Sequence, residues 1–246
     1  AREIYARGWR TIKLYFMIGH PAETPEDVGD IADLAKAVMA EGRKVMGYKA
    51  RLNIGVSTFV PKPHTPFQWS PSDTYDQVTA KQALLRREVR GKGIKLSLNN
   101  VRSTMMESWL SRGDRRMANV ILDAYRGGAR FDGWREFFDY EAWMDGFRRN
   151  NLDPYFYTHR VRKQDEIFPW DHIDAGLKKS FLLEDYGMAL EGETRVDCRD
   201  QCFACGILPK FVSLRKETKA SEWECPEVKP IRLRKKARGL ATGGLI

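Results

Sequence analysis

The 246-residue chain, with 42% hydrophobic and 30% charged residues, has the composition of a globular protein with room for one large domain or two modest ones. No stretch approaches the roughly 20 apolar residues of a membrane span. There is no secretion-signal pattern, so a cytoplasmic location is expected. The formal net charge of +9 is partly local: Lys229, Arg232, Arg234, Lys235, Lys236 and Arg238 crowd the end of the chain. Such a run suits either a solvated tail or a phosphate backbone.

Residues 12–18 are apolar and partly aromatic, which predicts a buried strand. Gly19 to Thr24 break it. Thr24 is a good N-cap, Pro25 suits the first helical position, and Glu26 and Asp27 favour the positive helix end. Val28, Ile31, Ala32, Ala35, Val38 and Met39 then make one apolar helix face, with Gly42 as the expected stop. A second strand is predicted over 52–60 and ends before Pro61, Pro63 and Pro66. A helix over about 73–91 and a third strand through Ile94, Leu96 and Leu98 follow. This alternation implies a parallel sheet. Helices are predicted near 103–112, 114–126, 134–149 and 178–191. Trp109, Trp134, Phe137, Phe138, Trp143 and Phe147 are their expected core anchors.

In parallel α/β folds the chemistry sits at the C-terminal ends of strands. Two loops stand there. In Gly19-His20-Pro21-Ala22-Glu23-Thr24, Gly19 permits a close backbone approach, and Glu23 could accept hydrogen bonds from an amine or a ribose hydroxyl. A plain strand-to-helix turn is the alternative. In Val60-Pro61-Lys62-Pro63-His64-Thr65-Pro66 the prolines leave carbonyl groups without ladder partners, where a planar base could bind. His64 is either a proton donor or an exposed loop histidine.

Leu14–Thr24 is similar to the "φφφGxPxET" segment of radical S-adenosylmethionine (radical SAM) proteins of the Elp3, MiaB and HemN type, and Ser57–Pro66 resembles their next strand with its "PxPxTP" ending. Val101-Arg102-Ser103, Glu107, Arg112–Arg116, Phe131–Trp134, Pro169–Asp174 and Asp197-Cys198-Arg199 resemble a subgroup in which a B12-binding domain precedes the radical SAM domain. The resemblance implies the C-terminal part of a partial TIM-like (β/α) barrel followed by a mainly helical extension. It implies a parent enzyme that uses a [4Fe–4S] cluster to cleave SAM and begin radical chemistry on an unknown substrate. Gly19, Pro21 and Glu23 would lie near SAM, and Val60 and Pro61 would contact its adenine. The cluster ligands would precede Ala1, so this chain alone is expected to be inactive. Cobalamin would belong to the parent protein.

All four cysteines fall between 198 and 225. Cys198, Cys202 and Cys205 have the C-x3-C-x2-C spacing that leaves one iron of a cluster open for SAM. In the family that motif follows the first barrel strand. Here it comes about 140 residues after the two matched loops, Ala204 replaces the usual aromatic residue, and no strand–helix repeats follow. With Cys225 as a fourth ligand and Gly206 making a tight turn, the segment instead suits structural zinc or an auxiliary cluster. The catalytic cluster and unligated thiols remain open.

The expected domains are 1–100, the barrel half; 101–195, the helical extension; 196–228, a metal knot; and 229–246, a basic tail. A competing reading is a zinc-knotted basic module that binds RNA or a protein. Arg102, Arg115 and Arg116 either bind an anionic group or pair with nearby carboxylates.

Overall fold

The computed structural model describes residues 1–219 and 225–226. The basic tail therefore lies outside the described residues. The chain divides into two compact units, Ala1–Asp174 and Ala175–Ile246.

The first unit begins with α1 (Arg2–Ala6), β1 (Thr11–Ile18), α2 (Pro25–Met46), β2 (Arg51–Thr58), α3 (Tyr75–Glu88) and β3 (Ile94–Leu98). The strands form one open parallel sheet in the order β1-β2-β3, with Leu14, Ile54 and Leu96 in register. The first helix after the sheet opens is fixed locally. Thr24 accepts the Asp27 amide, and the Asp27 carboxylate accepts the Thr24 amide, a reciprocal cap that satisfies two otherwise free donors.

Gly42 does not stop α2, which continues to Met46. A Cβ at Gly42 would lie 2.7 Å from the Tyr5 ring, so the glycine makes room for α1. The helix stops instead at Gly47, whose φ of 58° leaves the helical region.

Side chains alternate between the two faces of a strand. Ile12, Ile18, Leu52, Ile54 and Val56 are buried in one cluster with Val28, Ala32, Ala35 and Met39 of α2 and Leu85 of α3. The opposite face carries Lys13, Tyr15, Met17, Asn53, Gly55, Ser57, Lys95 and Ser97, none of them buried. Tyr15 is 78% exposed, and its ring lies beside Gly55, where a Cβ would approach it to 3.2 Å. Parallel sheets usually have both faces covered by apolar packing. This one has a polar second face.

A second core follows, built by α4 (Val101–Arg112), α5 (Met117–Arg126), α6 (Tyr140–Arg149) and α7 (Pro154–Thr158). Trp109, Trp143 and Phe147 are buried there, and Phe138 packs against them. Trp134 and Phe137 are not core anchors. They are 59% and 56% exposed and gather around Phe131, which is 70% exposed. The helix expected over 134–149 starts only at Tyr140, where Asp139 caps it through the Ala142 amide.

The second unit has α8 (Lys179–Leu190), α9 (Ile207–Lys210) and α10 (Val212–Glu217). Among its described residues Leu182 is the buried large hydrophobic side chain. No helix among the described residues is long and apolar enough to cross a membrane.

Candidate functional site at the strand rim

Parallel pairing brings the ends of β1 and β2 together, with Ile18 opposite Thr58. The two singled-out loops are therefore neighbours. His20 from the first stacks on Phe59 from the second, 4.5 Å between ring centroids, and Phe59 meets Phe67 edge-on.

Gly19 is buried and has a φ of 88°, a conformation that suits glycine. A Cβ there would come within 3.1 Å of the Asp73 carboxylate. The Gly19 amide donates to Glu23 Oε1 at 2.9 Å, and Lys81 of α3 reaches the same oxygen at 2.8 Å. Lys81 also pairs with Asp73 at 2.7 Å. Burial works against the Lys81 ammonium, but its hydrogen bonds to Asp73 and Glu23 outweigh that cost and hold its pKa above the ordinary lysine value. One oxygen of Glu23 thus shapes the loop, while its Oε2 has no partner among the described residues. Pro21 sits half-buried in the same turn, and Ala22 follows with a φ of 65°.

The second loop is held from outside itself. Val60 and Pro61 are buried at its base. The fully buried Arg112 of α4 donates to the carbonyls of Pro61 (3.2 Å), Ser70 (2.8 Å), Gln68 (3.5 Å) and Tyr157 (3.4 Å). Burial first, then the neighbouring Arg162 and Arg160 charges, push its guanidinium down to about 9, still charged at neutral pH. Arg162, also buried, donates to the carbonyls of Arg112 and Tyr157 and pairs with Glu166 at 3.4 Å. The Pro61 carbonyl is thus committed to Arg112, and the Lys62 carbonyl accepts from Thr65. The Val60 carbonyl has no protein partner among the described residues. Two buried polar atoms nearby also lack one, Thr58 Oγ1 at the end of β2 and Nε2 of His64. The His64 backbone has a φ of 55°.

The structure therefore brings Gly19, Pro21, Glu23, Val60 and Pro61 to one rim. Arg112, Arg162 and Lys81 were not among the sequence candidates. A signal for Arg112 existed: with Met105, Ser108 and Trp109 it repeats at the i, i+3, i+4, i+7 spacing of a buried helix face, and all four are buried. Of the three arginines singled out, Arg116 pairs with Asp114 at 2.6 Å. Arg102 lies over the Tyr140 ring, 4.8 Å to its centroid, with no acidic partner among the described residues.

The cysteines lie in the second unit. Gly206 has a φ of 115°, and a Cβ there would meet the Gly176 carbonyl at 2.7 Å, so the turn after Cys205 requires glycine. Burial, followed by Cys202, Cys205 and Cys198, pushes the Cys225 thiol pKa up. The fourth cysteine thus adjoins the triplet. Among the described residues, no three His, Cys, Asp or Glu side chains converge tightly enough to form a ready metal site.

No family model and no solved structure matches the chain. It is similar to an uncharacterized protein of Methanocaldococcus jannaschii, 32% identical over 114 residues. Those residues are 46% of this chain and 24% of the relative, so the chain spans about a quarter of the length of the protein it matches.

Proposed function

We propose that this chain is the C-terminal, SAM-side wall of a radical SAM enzyme's partial barrel. The observation that carries the reading is the pairing of the Gly19–Thr24 and Val60–Pro66 loops on one rim of a parallel sheet whose second face is polar. In a barrel that second face would look inward. The B12-associated subgroup resemblance adds cobalamin to the parent protein, not to these residues.

The residues present fit a polar, planar ligand at the rim. Glu23 Oε2 and the Val60 carbonyl are acceptors without partners, and Thr58 Oγ1 is a buried hydroxyl still to be satisfied. Glu23 would accept from the amino group of SAM, and the Val60 backbone would accept from the adenine amine. Gly19 keeps the space beside Asp73 clear. In the proposed parent enzyme a reduced [4Fe–4S] cluster, held by residues outside this chain, would supply the one-electron cleavage of SAM to methionine and a 5′-deoxyadenosyl radical. Lys81 and Arg112 are positioning residues, because each holds a loop without reaching the open acceptors.

The cysteine segment is read as a separate structural zinc or auxiliary-cluster site, supported by the approach of Cys225 to the triplet. A basic module binding RNA or a protein is the competing reading, favoured by the charge of +9.

Equilibrium dialysis with radiolabelled SAM tests the rim. Glu23→Gln should weaken retention about tenfold, the loss expected for one charge-assisted hydrogen bond. Equal retention by both proteins would sink the assignment. Anaerobic reconstitution with iron and sulfide tests the cysteines. SAM cleavage that depends on Cys198 would make the triplet the catalytic cluster and reverse the reading.

A further inference from the structure

A cleft of about 410 Å³ opens at the C-terminal end of β3, between α3 and the start of α4. Its walls include Arg86, Arg102 and Arg135, together with Asn99, Asn100 and Tyr75, and no carboxylate lines it. Among the described residues none of the three guanidinium groups forms an ion pair, whereas Arg87, next to Arg86 in the sequence, pairs with Glu88 at 2.8 Å. Three unneutralised arginines around one cleft repel each other unless an anion joins them.

Two of the three are oriented. Gln82, 2% exposed, donates to the Asn99 carbonyl and accepts from Arg86 at 3.1 Å, which ties that guanidinium to the cleft floor. The Arg102 guanidinium lies over the Tyr140 ring, 4.8 Å from its centroid, a cation–π contact that uses none of its N–H donors. The Asn100 side chain caps Ser103 and the Asn100 carbonyl accepts from Thr104, so the amides of Val101 and Arg102 add two donors on the same side. Arg135 comes from the turn that exposes Trp134, Phe131 and Phe137. A planar base attached to a bound phosphoryl group would find those rings beside it.

We infer that this cleft binds the phosphoryl group of a nucleotide, free or within a polynucleotide, through Arg86, Arg102 and Arg135. The inference stands on the cleft and does not depend on SAM binding at the β1–β2 rim. Uridine 5′-diphosphate and a short oligouridylate are suitable probes, since neither carries adenine. Titrations use the full chain, Arg102→Gln, the double variant Arg102→Gln/Arg135→Gln, and Arg149→Gln as a control with an exposed arginine elsewhere. Arg102→Gln should weaken binding about tenfold and the double variant about a hundredfold, while Arg149→Gln should stay within about twofold. The melting temperature of every variant should match that of the parent chain. Binding of the diphosphate identifies a free nucleotide as the source. Binding of the oligonucleotide alone, falling steeply with salt, identifies a polynucleotide. Failure of both probes to bind, or binding that survives in the double variant, overturns the inference.

Discussion

The strand rim and the cysteine segment are stabilised in opposite ways. At the rim, Lys81 and Arg112 sit among buried groups and hold both loops in shape with protein atoms alone. The described part of the cysteine segment has exposed or half-buried thiols, and among the described residues of its unit Leu182 is the buried large hydrophobic side chain. The rim is preorganised. Among its described residues the cysteine segment has less apolar burial, and under the proposed reading a bound ion would supply the missing support. Chemistry that must position a reactive ligand needs the first kind of support, while a structural knot can rely on its metal.

The largest break in this contrast should come from Arg112→Met. It leaves the carbonyls of Pro61 and Ser70 buried without donors and should cost about 3–5 kcal/mol in urea denaturation followed by tryptophan fluorescence. A loss below about 1 kcal/mol would mean that the rim holds its shape without the guanidinium. A smaller effect should come from zinc. At a hundredfold excess over its dissociation constant it should stabilise the second unit by about 2.7 kcal/mol, and Cys202→Ser should abolish the gain. An equal gain in the variant would place the ion elsewhere.

The smallest effect concerns pH. His159 hydrogen-bonds the Ser72 carbonyl at 3.0 Å, and burial is the main cause that lowers its pKa below the ordinary value near 6.5. Between the lowered value and 6.5 the unfolded chain takes up a proton that the folded ring refuses. This contribution is therefore complete above about pH 6.5 and is lost as the pH falls below it. His159→Gln should flatten that part of the stability–pH curve, and an unchanged slope would show that another group sets it.

Much of the sheet half was legible because its signals are local. Thr24 and Pro25 mark the start of α2, the apolar positions from Val28 to Met39 turned out to be its inner face, and the three strands fall within two residues of the expected limits. The failures share a different cause. Gly42 was read from propensity, but its role is set by Tyr5, 37 positions earlier in the chain. Trp134 and Phe137 were assigned to the core from residue type, whereas the turn that carries them faces outward. Arginine is rarely buried without partners, and the partners of Arg112 are main-chain carbonyls, which leave no trace in composition. At the site, the two loops could be seen in the sequence. Of their tether only the buried-face spacing of Arg112 could be seen, not its partners, because the tether comes from α3 and α4 and Arg112 grips main-chain carbonyls.

That tether has a consequence for the order of folding. The contact between Arg112 and the Pro61 carbonyl spans 51 positions and joins the two cores. The three strands can pair as soon as residues 1–100 have condensed, yet the Pro61–Ser70 loop gains its final donor only when the later helix docks. A protein cut after residue 100 would keep its sheet register and lose the shape of its rim, so the part that looks like a finished sheet is completed by a helix made after it.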